Sequence, residues 1–236
     1  NTIAVISYRN PDQNLYFRGQ RKDYKNAHKQ TLVFPSIYRK LPKRKGKKAL
    51  ESRYNKLREA ENTLLDKFQE ANFPDTKPLK KFKEIRWAIL QHYEVCKTPL
   101  LDVTSSLRVA CSFALKNNQE NWGYVFVFGF PHVNGSISYY VEEDLMNIKL
   151  LSICPPDALR PHYQEGFLIG TFPTEYNDAK TPRFDVSKRL IAKFKIPKRG
   201  FWTGDFPEIP NNALFPTGDS VEEICQDIKN YIVEHR

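Results

Sequence analysis

The stretch NLYFRGQ, residues 14–20, sets Arg18 inside a run of apolar and aromatic residues and follows it directly with Gly19. A guanidinium at a half-buried strand position needs a partner for its charge. That partner is either a carboxylate of the protein, for which Asp102 is the candidate, or an anionic group of a ligand held by paired, charge-assisted hydrogen bonds. A second polar group stands in LDVTSS, where Thr104 and Ser105 follow Asp102 at the passage from a strand to a helix; hydroxyls there commonly end the strand and cap the helix. A third is Gln164-Glu165 ahead of Gly166, which on its own reads as a turn. A fourth is the basic run RKLPKRKGKK, with Arg39, Lys40, Lys43, Arg44, Lys45, Lys47 and Lys48 around Pro42 and Gly46. It reads as a mobile basic loop, suited to phosphate contacts or simply solvated.

The wider composition narrows the chemistry. The 236 residues carry 37 Lys and Arg against 27 Asp and Glu, a formal net charge of +10, which invites an acidic partner such as nucleic acid and also serves plain solubility. There is no GxGxxG after a strand, no GxxxxGK[ST], no HExxH and no GxSxG, so the usual phosphate loops, zinc sites and serine elbow are missing. Cys96, Cys111, Cys154 and Cys225 lack metal-ligand spacing and read as reduced, buried thiols. No apolar run is long enough to cross a bilayer and the first residues lack signal-peptide sections, so no membrane partner and a cytoplasmic location are expected.

The elements that must position these groups follow from periodicity. After the basic loop, Leu50, Tyr54, Leu57, Leu64, Leu65 and Phe68 recur at helical spacing. After the break NFPDTKP, Leu79, Phe82, Ile85, Ile89 and Tyr93 mark one face of a second helix, with Lys80, Lys81, Lys83 and Arg86 on its other side. PLLDVT then reads as a strand, and SSLRVACSFALKN as a helix capped by Ser105 or Ser106. GYVFVFGF, SISYYV, IKLLSI, FLIGTFP and RLIAKFKI read as short strands joined by turns, and DSVEEICQDIKNYIVEH as a closing helix with Ser220 and Glu223 at capping-box spacing. Val221, Ile224, Ile228, Tyr231 and Ile232 form its core face. The expectation is one α+β domain over residues 1–236, its sheet largely antiparallel or mixed, with a basic helical insertion at about 39–90.

Five stretches occur in an order that resembles the FRG domain family, named for its Phe/Tyr-Arg-Gly motif. They are YFRGQ, FPSIYRK at 34–40, QHYEVCKTPLLDVTSSLRVACSFAL at 91–115, RPHYQEGFLIG at 160–170 and ALFPTGDSVEEI at 213–224. Departures are Glu94 at a glycine position, Leu100 at an arginine position, Val103 in place of tryptophan and Glu165 in place of the second glutamine of Gln-Gln-Gly.

The family's layout is similar to that of ADP-ribosyltransferases, and the resemblance implies a split, mainly antiparallel sheet binding NAD as substrate without a metal. Arg18 would hold the pyrophosphate and Gly19 would let the backbone approach the nicotinamide. Thr104 with Ser105 would form the hydroxyl-bearing element, and Asp102 would orient Thr104 or Arg18. Glu165, or Gln164, would face the ribose, with Tyr93 and Phe167 as stacking aromatics. The implied function is transfer of ADP-ribose to RNA, DNA or protein, with the basic loop as acceptor surface, in a toxin or anti-phage effector restrained by an antitoxin. A non-enzymatic nucleotide- or nucleic-acid-binding module and an NAD glycohydrolase are the alternatives.

Overall fold

The runs rich in Val, Ile, Phe and Tyr pair into one seven-stranded sheet in which every ladder is antiparallel. The computed structural model describes residues 2–73, 76–155, 158–171 and 184–234. Its elements are α1 (Thr2–Arg9), β1 (Asn14–Gln20), α2 (Gly46–Glu70), α3 (Lys77–Lys81), α4 (Lys83–His92), β2 (Leu101–Thr104), α5 (Leu107–Leu115) and β3 (Trp122–Phe130). There follow β4 (Ile137–Tyr140), β5 (Leu145–Lys149), α6 (Leu150–Ile153), α7 (Leu159–Gln164), β6 (Gly166–Thr171), β7 (Leu190–Pro197), α8 (Asn211–Leu214) and α9 (Ser220–Glu234). The strand order is β4-β5-β6-β2-β1-β3-β7, and the α+β expectation holds.

The sheet has a weak seam. β1 pairs with β3 along its whole length, from Asn14↔Phe130 to Gln20↔Tyr124, but shares with β2 the single pair Phe17↔Thr104. An antiparallel ladder would continue with Arg18 opposite Val103 and Gly19 opposite Asp102; neither pair forms. The seam therefore opens towards Gln20 and Leu101.

Alternation along β1 assigns its faces. Phe17 joins Ala110, Cys111 and Ala114 of α5 in one apolar cluster, while Tyr16 joins Phe126, Phe128 and Phe130 in another. A Cβ at Gly19 would lie 1.8 Å from the Ala110 carbonyl oxygen, so α5 seats directly on β1 only because this residue is glycine. A third cluster joins α2, α4 and α9 to Leu100, Met146, Ile148 and Leu168, so the helical section at 46–92 shares its core with β5 and β6.

Several local expectations are corrected. The second helix is two, interrupted at Phe82, which is extended (φ −118°, ψ 112°) and 38% exposed. Arg86, read as a solvent-side charge, instead bonds to Glu61 (3.1 Å) and to the Leu79 carbonyl at the end of α3 (2.5 Å). The last part of IKLLSI turns into α6. The last two residues of FLIGTFP lie outside the described residues. Asp219 caps α9, its Oδ1 accepting from Val221 N and Glu222 N; Ser220 does not, and Tyr231 is 43% exposed, off the core face. Among the described residues no helix is long and apolar enough to cross a membrane. All four cysteines are free, Cys111 and Cys225 buried, Cys96 and Cys154 partly so, and burial raises every thiol.

Candidate functional site

The open seam between β1 and β2 leads into a cavity of about 1030 Å³, at the upper end of the roughly 300–1,000 Å³ usual for small-molecule sites. Arg18 spans the opening. Where the ladder stops, one of its Nη groups donates to the Asp102 carbonyl oxygen, so the side chain replaces a backbone bond that the diverging strands cannot make. The bond is to the carbonyl and not the carboxylate. Nε of Arg18 is buried with no partner, and burial, with the charge of Arg39 second, pushes its pKa down to about 10 despite Asp102 nearby. At neutral pH it is still a cation, with donors to spare.

The Asp102 carboxylate is held from α4. Gln91 Nε2 donates to Oδ2 at 2.6 Å, and His92 Nδ1 lies 3.6 Å from Oδ1. Burial alone would raise the carboxyl, but His92, Arg18 and Gln91 together hold it below the usual range. Gln91 is itself fixed, its Oε1 accepting from Thr98 Oγ1 (2.5 Å) and Ser36 Oγ (3.3 Å). Asp102 is thus an ionised group in the cavity wall, oriented from behind and with about a third of its side chain exposed.

The wall is strongly cationic. Among the described residues, eight lysines and arginines line it against two carboxylates, Asp102 and Glu94. The crowding is felt: Lys97 is lowered by burial and then by Arg53 and Lys40. Buried polar atoms without partners gather here too. Besides Arg18 Nε they include Gln20 Nε2, His92 Nε2 and Arg160 Nε, all on residues that line this cavity. Buried polar groups are normally satisfied, and a cluster of open ones beside excess positive charge has the donors an acceptor-rich anion would use.

The predicted residues divide sharply. Arg18, Asp102, Thr104, Gln164 and Gly19 line the cavity, and so does Arg39, which was expected in the basic loop. However, Gly19's missing side chain makes room for α5, so the expected backbone approach to a ligand is not what its glycine serves locally. Thr104 is spent on structure: its hydroxyl donates to the Gln164 carbonyl (2.8 Å) and accepts from Ser106 N (3.0 Å). Gln164 donates to the Leu214 carbonyl (2.8 Å). Ser106 caps α5, while Ser105 donates to Glu165 (3.2 Å).

Glu165 is exposed, in the left-handed region (φ 45°, ψ 48°) as the C-cap of α7, and is not among the cavity-lining residues. Its neighbours Gln164 and Gly166 line the cavity in its place. Tyr93 and Phe167 are also absent from the lining. Tyr93 is a core residue whose hydroxyl donates to Asp219 (2.7 Å), and Phe167 packs on Tyr16 with ring centroids 4.6 Å apart. Among the basic-loop residues, Lys40, Lys43, Arg44 and Lys45 are exposed on the approach to α2, and Lys47 and Lys48 form its first turn. The loop starts at the cavity: Arg39 is in the wall, and Arg53 of α2 grips the Ile37 and Arg39 carbonyls (2.5 and 2.7 Å).

Against known proteins, the FRG domain family model matches residues 13–122, from just before β1 to the first residue of β3. This segment is an FRG domain. No curated protein and no solved structure matches the chain. The FRG domain supplies Arg18, Gln20, Arg39, His92 and Asp102, while Arg160, Gln164 and Lys229 reach the same cavity from beyond it.

Glu94, at the glycine position of the family motif, has φ +57°, which explains why a glycine fits there. Sequence reasoning missed Gln20, Gln91 and Arg160. Arg160 carries the same signal as Arg18, a cation among apolar and aromatic residues, in RPHYQEGF.

Proposed function

We propose that the FRG domain and the segments completing its cavity bind NAD and transfer its ADP-ribose to a macromolecular acceptor. The observation that carries this reading is the half-buried, half-satisfied Arg18 across the open seam from an ionised Asp102, inside a cavity of dinucleotide size with eight cationic residues among the described residues of its wall. Arg18 would grip the pyrophosphate through its free donors. Asp102, rather than the exposed Glu165, would face the ribose.

In this scheme the C1′–N bond of NAD breaks and nicotinamide leaves with the bonding pair. Asp102 stabilises the positive charge that develops on the ribose, as carboxylates do in glycoside hydrolysis. An oxygen or nitrogen of the acceptor attacks C1′ and releases its proton to water. Gln91 and His92 hold the Asp102 carboxylate on its other side, so its orientation is set before NAD arrives. The basic loop from Arg39 to Lys48 runs from the cavity wall to α2 and suits a phosphate-bearing acceptor, RNA or DNA.

Nicotinamide release and NAD affinity are the two readouts. Arg18→Ala should lose both, whereas Asp102→Asn should lose release and keep affinity within a few-fold. NAD bound but never cleaved would replace the transferase with a nucleotide-binding module, and NAD cleaved with no polymer labelled would leave a glycohydrolase.

A further inference from the structure

Arg160 is a buried arginine in the wall of the cavity, and among the described residues no carboxylate within hydrogen-bond range accounts for it. Only 6% of the residue is exposed, and its Nε is buried with no hydrogen bond. Its nearest carboxylates, Glu94 and Glu222, both stand 3.8 Å away and are 75% and 45% exposed, beyond hydrogen-bond range and largely in water. What holds the guanidinium is aromatic: it lies 4.6 Å from the Phe215 ring centroid and 5.7 Å from that of Tyr93.

A second cation crowds the same ring. Lys116 Nζ sits 3.6 Å from the Phe215 centroid, and the charges of Arg160 and Arg21 both lower its pKa, after burial as the main cause. Two cations therefore share the Phe215 ring, Arg160 from the wall of the cavity and Lys116 from that of a neighbouring pocket, and Arg160 faces only loosely placed carboxylates. Burying an ion is costly unless a well-placed opposite charge compensates it. Among the described residues only the two exposed carboxylates at 3.8 Å offset it, which leaves room for compensation by a ligand.

We propose that Arg160, its guanidinium seated on the Phe215 and Tyr93 rings, forms a second anion subsite of the cavity that takes a phosphate group separate from the group held by Arg18. It does not depend on NAD being the ligand. Two sources of that phosphate share one chemistry: the far part of the dinucleotide itself, or a phosphate of the acceptor brought in alongside it.

The test is calorimetric titration of the whole chain with inorganic pyrophosphate, and with inorganic phosphate, in wild type, Arg18→Ala, Arg160→Met and Arg160→Lys. On the Arg18→Ala background one binding event should remain, and adding Arg160→Met should weaken it at least ten-fold. Arg160→Met, which removes an ill-compensated buried charge and keeps the volume, should melt at the same temperature or higher. Phosphate binding to NAD-saturated protein assigns the subsite to the acceptor; exclusion of phosphate by NAD assigns it to the dinucleotide. On the Arg18→Ala background, pyrophosphate affinity left unchanged by Arg160→Met overturns the proposal. If that variant fails to fold, Arg160→Lys decides on the same readout: weakened binding supports the subsite, and wild-type affinity sinks it. Nicotinamide release plays no part in these arms, so failure of the transferase reading would be seen separately.

Discussion

The two sides of the seam contrast in how their polar groups are used. On the β1 side, Arg18 and Gln20 keep buried donors open, and His92 and Arg160 add two more open nitrogens to the cavity wall. At the corner where β2 meets α7, Thr104, Ser105, Gln164 and Glu165 spend their side chains on one another and on nearby backbone. Both regions are built from residues of the family-like stretches, yet only the first has bonding capacity left for a ligand. The difference teaches that a polar residue at a motif position fastens the fold when its bonds are closed and meets a ligand when they are open.

Substitutions on the two sides should therefore fail differently. The largest effect is expected for Asp102→Asn: nicotinamide release should fall on the order of 10²–10³-fold, because an amide cannot stabilise developing positive charge. Steady-state assay beside a binding isotherm checks this, and an equal loss of affinity would move Asp102 to the structural side. Arg18→Ala should weaken NAD binding on the order of 100-fold, since hydrogen bonds from a charged donor are the strong ones. Its melting temperature should change little, as the side chain gives up only one backbone bond.

On the closed side the cost appears in stability. Thr104→Val strands the Gln164 carbonyl and Ser106 N–H, and should destabilise by about 1–3 kcal/mol in urea unfolding, with turnover per folded molecule unchanged. A selective loss of turnover in Thr104→Val would erase the contrast. Smaller still is Glu94→Gly, which relieves a left-handed glutamate at φ +57° and gives up an exposed, 3.8 Å ion pair; a gain of about 1 kcal/mol is expected.

The pH dependence follows from Asp102. Its folded pKa is lowered relative to the unfolded carboxylate, near 3.9. It therefore contributes stability that is full above that unfolded value and is lost as pH falls through the lower folded one. Acid unfolding of Asp102→Asn should show a shallower decline below about pH 4 than wild type.

Much of the fold was legible because apolar spacing reports directly on what is buried. The β1, β2, β3 and β7 runs, the long α2 stripe and the α9 face all follow from it. What failed has local causes. Phe82 fits the helical spacing, but Arg86 ties the end of α3 to α2 through Glu61 and the chain breaks there. Asp219 outcompetes Ser220 as the α9 cap because its carboxylate takes two N–H groups.

Within the site, Arg18 and Asp102 could be named from the sequence because a charged residue in an apolar run is conspicuous. Glu165 could not be placed, since one left-handed residue at the end of α7 turns it to solvent while Gln164 and Gly166 line the cavity. Arg160 was equally conspicuous, but only the fold brings a residue beyond the FRG domain to the same cavity as Arg18.

The most direct test of the central claim is incubation of the purified chain with NAD labelled on its adenylate phosphate, in parallel with total RNA, DNA fragments and lysate protein, beside Arg18→Ala. The account predicts nicotinamide release and label in one polymer pool, both absent in the variant. Intact NAD in every pool, with wild-type protein that is folded, would contradict it.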